Sequence, residues 1–151
     1  MYSRILVAVD GSATAKLALD HALQLAREQR ARVRIVHALE SIHFLVSLAG
    51  GYPFDASALL DTLREDGKQV LDRAQALAHS AGVEAETALI EGEAPMDRTA
   101  AIIVQDALRW DADLIVIGTH GRRGFDRVVL GSVAETLVRI AHLPVLLVRG
   151  K

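Results

Sequence analysis

The chain has 151 residues, 51% of them hydrophobic, with a formal net charge of −2 and no cysteine. That length and apolar share suit one domain, residues 1–151, whose core needs neither disulfides nor metals, and they argue against disorder. The near-neutral charge argues against nucleic acid as an obligate partner, and the missing cysteines exclude a disulfide scaffold, a thiol nucleophile and thiolate metal sites.

The N-terminal run MYSRILVAVDGS enters a strand pattern at once, without the charged and apolar regions of a leader. No apolar run approaches the ~20 residues that cross a bilayer, so the expected location is the cytoplasm, away from membranes. The first strand covers residues 5–9 and ends at Asp10-Gly11-Ser12. A helical stripe follows, with Ala15, Ala18, Leu19, Ala22, Leu23 and Ala26 at spacings of three and four. The second strand covers 33–38. After it comes a long connection, Glu40 to Ser57, apolar and punctuated by Gly and Pro. A loop of that length is expected to pack over a site or a partner. The second helix carries Leu60, Leu63, Leu71, Ala74 and Leu77 and stops near Gly82. The third strand covers 83–90. The third helix is expected to start at Pro95 and to bury Ile103, Ala107 and Leu108. The fourth strand, 114–117, is wholly apolar. The fourth helix runs from about Ser132 to Ala141 and is stopped by Pro144, and the last strand is Val145, Leu146, Leu147 and Val148.

Strand and helix alternate throughout, which implies right-handed βαβ units and a parallel sheet with helices on both faces. Strands 1, 2, 4 and 5 read as continuous apolar runs, as covered strands do, whereas strand 3, VEAETALIEG, alternates as an edge strand does. In such a sheet ligands bind beyond the carboxyl ends of the strands. If strands 1 and 4 are neighbours, Asp10 and Gly118 share one crevice.

The segment after strand 4 carries Gly118, Gly121, Gly124 and Gly131 with Arg122, Arg123 and Arg127 among them, and Ser132 follows the last glycine. Glycines let a backbone approach a ligand closely, and the start of a helix offers unpaired N–H groups and partial positive charge to a phosphate. Two plainer roles stand beside this one. The glycines would serve as turn formers with Ser132 as an N-cap, and the arginines as a solvated surface cluster. A P-loop, a G-x-G-x-x-G dinucleotide turn after strand 1, a G-x-S-x-G elbow and metal-ligand histidine spacing are all missing. His37, in an apolar strand, reads as a satisfied core residue. No catalytic acid–base pair stands out, and the acidic and basic residues of a phospho-acceptor receiver domain are not where that class needs them.

Gly118-Thr119-His120-Gly121, nine residues, then Gly131-Ser132 resembles the G-x2-G-x9-G-[ST] motif of the universal stress protein family. ILVAVDGS, IVHAL, DADLIVIGTHGRRG and LPVLLVR add to the likeness, which covers essentially the whole chain. The resemblance implies a flavodoxin-like α/β fold with a five-stranded parallel sheet in the order 3-2-1-4-5. The intact glycine motif resembles the family's ATP-binding branch and implies a regulatory or sensing module in the stress response that binds ATP, with Mg²⁺ or Mn²⁺ on the phosphates. It also leaves open slow hydrolysis or autophosphorylation, or a dimerising module with an empty site. By the same resemblance Asp10 would accept from the ribose hydroxyls, or else serve as a turn or cap residue. Ala8 and Val9 would flank the adenine, and the backbone of Ala38 would read its edge. Gly118 and Gly121 would cradle phosphates, Gly131, Ser132 and Val133 would donate to them, and His120 and Arg122 would lie alongside. Strand 5, uncharged and at a sheet edge, is expected to pair with a second copy in a homodimer; Glu84 and Glu86 discourage the same at strand 3.

Overall fold

The computed structural model describes residues 1–120 and 130–150. Its elements in chain order are β1 (Arg4–Ala8), α1 (Ala13–Gln29), β2 (Arg32–Leu39), α2 (Ile42–Leu48), α3 (Ala56–Ser80), β3 (Ala85–Glu91), α4 (Thr99–Arg109), β4 (Leu114–Gly118), α5 (Ser132–Ile140) and β5 (Val145–Val148). The strands form one parallel sheet in the order β3-β2-β1-β4-β5. This is the flavodoxin-like arrangement that the resemblance implies.

Period-two alternation sorts the strand side chains into two cores. Ile5, Val7, Val9, Val33, Ile35, Leu114 and Val116 face α1 and α3. Leu6, Ala8, Val36, Ile115 and Ile117 face α4 and α5. Both faces are covered, so β4 and all of β1 after Arg4 are apolar. The α1 stripe read from the sequence, Ala15 to Ala26, is the buried face of that helix. Its small alanines let α1 lie close over β1 and β4.

β2 departs from the continuous apolar run. Arg34 projects toward α4, where its Nε and Nη2 donate to Asp106 at 2.8 and 3.0 Å, with Glu86 of β3 at 3.4 Å. The Asp106 side chain is only 9% exposed. Removing one partner of such a pair leaves an uncompensated charge in a poorly solvated place, which is why both stand together.

Four further sequence expectations change. The connection from Glu40 to Ser57 is not a plain loop: it contains α2, capped by the buried Ser41 hydroxyl, which accepts from the Phe44 amide. No α2 residue is buried, so no core stripe announces the helix. The helix after β3 begins at Thr99 rather than Pro95. The Asp97 carboxylate accepts from the Glu93 and Ala94 amides and closes a turn across Pro95. Ile103 and Ala107 are buried there, but Leu108 is 54% exposed. β3 starts at Ala85 because the Val83 amide is taken by Ala78 O at the end of α3.

Asp113, just before β4, ties the starts of β1 and β4. Its carboxylate accepts from the Ser3 amide at 2.8 Å, the Ser3 hydroxyl at 2.7 Å and the Arg4 amide at 3.0 Å. Partial burial opposes ionisation, but these hydrogen bonds outweigh it and hold the carboxyl below its ordinary value. A depressed carboxyl contributes stability that is complete above the unfolded value and is lost as pH falls through the folded one. Asp113→Asn should therefore flatten the pH dependence of the urea midpoint from about pH 4 downward. Equal slopes for parent and variant would remove Asp113 from the acid response.

Candidate functional site

Three chain segments meet at the carboxyl ends of β1 and β4. The first is Asp10-Gly11-Ser12. Gly11 takes φ +82°, a region other residues rarely adopt. The Ser12 amide donates to Asp10 Oδ1 at 2.9 Å, closing an Asx turn. The cap of α1 is Ser12 itself, whose hydroxyl accepts from the Ala15 amide at 3.2 Å. Of the plainer roles open to Asp10, the structure thus shows the turn and gives the cap to Ser12.

The second segment is the end of β4. Gly118 abuts the first turn of α1: a Cβ there would lie 2.9 Å from Thr14 C and 3.0 Å from Thr14 O, both backbone atoms. Thr119 follows, 4% exposed, its amide donating to Val148 O at 2.8 Å and its hydroxyl paired with His120 Nδ1 at 3.0 Å. The Thr14 hydroxyl donates to His120 O, joining α1 to the segment after β4. His120 Nε2 is buried and has no hydrogen-bond partner among the described residues.

The third segment is the start of α5. The Gly131 amide donates to Thr119 O at 2.8 Å, bringing the helix start against β4. A Cβ on Gly131 would lie 2.9 Å from that same carbonyl oxygen. Gly131 is the N-cap and supplies no side-chain cap, so Ser132 is the first helical residue and not the cap. With the Gly131 amide already spent, the donors of this helix start begin at Ser132 and Val133. Glu135 is tied to Arg139 at 3.0 Å, one turn along. Gly121, Arg122, Arg123, Gly124 and Arg127 lie outside the described residues.

Ala8, Val9 and Ala38 sit where β1 and β2 end. The register runs from Arg4↔Arg32 to Ala8↔Val36. Val9 donates through its amide to Val36 O at 2.9 Å and accepts at its carbonyl from His37 Nδ1 at 2.8 Å. Both its backbone groups are engaged within the fold. Ala38, half-buried, pairs with Ile90 of β3.

Beside this end stands a group the sequence did not announce. Glu40 Oε1 accepts from Arg98 Nε at 2.9 Å and from the Thr99 hydroxyl at 3.2 Å and amide at 3.4 Å, and the Arg98 guanidinium lies 4.1 Å from the Phe44 ring centroid. It fixes α2 against the start of α4. Thr14, Thr119 and this group escaped notice because each acts through tertiary contacts; the one local sign was the hydroxyl-rich run DGSAT after β1. Two surface clefts lie elsewhere. One of about 500 Å³ opens at the opposite end of the sheet beside Arg30, Arg32 and Glu84. One of about 420 Å³ lies between β3 and α4 beside Glu93, Gln105 and Arg109. Neither touches the β1–β4 crevice. Among the described residues no three His, Asp or Glu side chains group closely enough to hold a metal ion.

The family model described as the universal stress protein family matches residues 1–149. A universal stress protein of Methanocaldococcus jannaschii is 34% identical, over 99% of this chain and 83% of its own length. A solved structure of a protein from that family from Burkholderia pseudomallei is 39% identical, covers 97% of this chain and 96% of its own, and superposes with a TM-score of 0.77. The universal stress protein from Archaeoglobus fulgidus, solved in complex with dAMP, is 28% identical with a TM-score of 0.70, over 97% of this chain and 98% of its own.

The packing around Gly118 and Ser132 makes opposite demands. Gly118→Ala pushes against backbone of α1 and should cost about 1–3 kcal/mol of folding stability. Ser132→Ala removes no cap and should change stability by less than about 0.5 kcal/mol. Urea denaturation of both variants checks this. A Ser132→Ala loss near ~1 kcal/mol would restore Ser132 as a cap.

Proposed function

The chain belongs to the universal stress protein family, and from that premise we propose that it is a member of the ATP-binding branch, a regulatory module that senses adenine nucleotide in the crevice between β1 and β4. The observation that carries the proposal is the Gly131–Thr119 hydrogen bond, 2.8 Å long, which sets the start of α5, without a side-chain cap among the described residues, beside the end of β4. A helix start with free amides and partial positive charge suits phosphate, and a carboxylate suits a vicinal diol. The dAMP complex of the Archaeoglobus protein supports an adenine nucleotide as the ligand.

In this reading Ala8 and Val9 flank the adenine and the Ala38 backbone meets its edge. Asp10 accepts from the ribose hydroxyls through its carboxylate. Gly118 and Gly121 let the phosphates approach the backbone. Ser132 and Val133 donate to them through amides and the Ser132 hydroxyl, and His120 and Arg122 stand at the rim. A Mg²⁺ or Mn²⁺ ion would ride on the phosphate oxygens and neutralise part of their charge. Sensing rather than turnover is the proposed role, in the cytoplasm; no described helix is long and apolar enough to cross a membrane.

Asp10→Asn separates ribose recognition from the turn, because an amide oxygen still closes the Asx turn. By calorimetry the variant should lose about 1–2 kcal/mol of ATP affinity, since a hydrogen bond to a charged acceptor becomes a neutral one. An ATP analogue lacking both ribose hydroxyls should bind parent and variant alike. Unchanged ATP affinity in the variant would confine Asp10 to the turn.

We propose also that the functional unit is a homodimer through β5. β3 and β5 are the two sheet edges. Glu86 of β3 is engaged with Arg32 and Arg34 and keeps that edge charged. β5 is Val145-Leu146-Leu147-Val148, uncharged and only partly buried over its first three residues. A two-fold axis would cover this edge with its own copy. Light scattering should find a dimer for the parent at tens of micromolar, and Leu146→Pro should shift it to monomer. A monomeric parent, or a folded and dimeric Pro variant, would overturn the interface.

A further inference from the structure

β1 pairs with β2 as far as Ala8, and Val9 is one residue beyond that register. The next peptide plane, whose oxygen is Val9 O, launches Asp10 and the glycine turn behind it. A peptide unit turns as one rigid plane, so whatever holds that oxygen sets how Asp10 leaves the sheet. The holder is a side chain: His37 of β2, with Nδ1 2.8 Å from Val9 O. A carbonyl oxygen only accepts, so Nδ1 carries the hydrogen and donates it.

The imidazole is itself confined. It lies under α3 at Gly67, where an added Cβ would come 2.7 Å from His37 Cδ2 and 2.7 Å from Leu89 Cδ1. Gly67 is buried in the middle of a 25-residue helix, a place where glycine costs helix stability about 1 kcal/mol relative to alanine. The absent side chain makes the room that the ring occupies. Gly67, the His37 ring and Val9 O therefore form a contact line running from α3 through β2 to the residue before Asp10. A hydrogen bond from an imidazole to a backbone carbonyl is more directional than apolar filling, and an apolar residue would have packed here without it.

We infer that His37 is a positioning residue for ribose recognition, orienting the Val9–Asp10 peptide plane so that the Asp10 carboxylate faces the nucleotide. The inference rests on the ATP reading above but has one consequence that needs no nucleotide. If His37 holds the plane, it also holds the Asx turn, whose reporter is the Ser12 amide donating to Asp10 Oδ1 at 2.9 Å.

The test compares the parent with His37→Leu, which fills space without a donor, and His37→Asn, whose Nδ2 takes the place of Nδ1. Two quantities are read: the ratio of dissociation constants for the ATP analogue lacking both ribose hydroxyls over ATP, and the exchange rate of the Ser12 amide without nucleotide. The parent ratio should be about tenfold or more, the size of one hydrogen bond to a charged group. The Leu variant should bring the ratio below about threefold and speed Ser12 exchange about tenfold, and Asn should restore most of both. A purely structural histidine would lower the melting temperature of both variants and leave the ratio unchanged, which overturns the inference. Unaltered Ser12 exchange in the Leu variant overturns it as well. A parent that binds ATP with no preference for the hydroxyls refutes ribose recognition in the ATP reading and the positioning role with it, and the Ser12 arm then shows whether His37 still holds the turn.

Discussion

A single backbone hydrogen bond, Gly131 N–H to Thr119 O at 2.8 Å, decides the geometry of the crevice. Thr119 is anchored from the other side by its own amide on Val148 O, at 2.8 Å, so the start of α5 is referred to β5 as well as to β4. Without the bond, α5 would still pack its Ala134 and Leu137 on the sheet, because apolar burial is non-directional. Its first turn would not be held against β4. The close contacts on either side have the same origin. No side chain fits at Gly118 against α1, or at Gly131 against Thr119 O. Backbone meets backbone at both places, and a helix end can then face the mouth of β1.

Much of the architecture was legible in the residue pattern. Alternation of apolar runs with helical stripes implied a parallel sheet covered on both faces, and the alternation within strand 3 marked an edge. The order of the strands came from the family resemblance, because periodicity says which face a residue takes and not which strand lies beside it. What stayed hidden has a common physical cause. α2 buries none of its residues, so hydrophobic patterning does not register it. The start of α4 was misplaced because Pro95 is equally at home in a turn, and the Asp97 carboxylate that closes that turn is read only in three dimensions. Arg34 in β2 was masked by its apolar neighbours, and its partner Asp106 is 72 positions away.

The site was legible in part for the same reason. Glycine and serine positions are local signals, and in the fold Gly118 abuts Thr14 of α1 while Gly131 bonds Thr119 after β4. Donor and acceptor bookkeeping is not local. The Gly131 amide is consumed within the fold, Val9 has both backbone groups occupied, and Ser12 takes the cap that the sequence left open to Asp10. In the proposed ATP site these facts direct the phosphates to the helix start beyond Gly131 rather than to Gly131 itself.

Two helices share the property that makes a helix start receptive, yet their fates differ. Neither Arg98 before α4 nor Gly131 before α5 caps its helix with a side chain. At α4 the protein fills the vacancy from a distance: Glu40 Oε1 reaches the Thr99 amide and hydroxyl, and Arg98 holds that carboxylate in place. Anionic charge at a positive helix end is stabilising, so this start is already satisfied from within. At α5 the carboxylate in the first turn, Glu135, points its charge to Arg139, in the C-terminal direction, at 3.0 Å. Among the described residues no internal acid serves the α5 start as Glu40 serves α4. An external anion therefore gains more at α5 than at α4, where it would have to displace a carboxylate with three hydrogen bonds. The difference between an internal cap and its lack favours α5 as the phosphate-facing helix in the proposed ATP site.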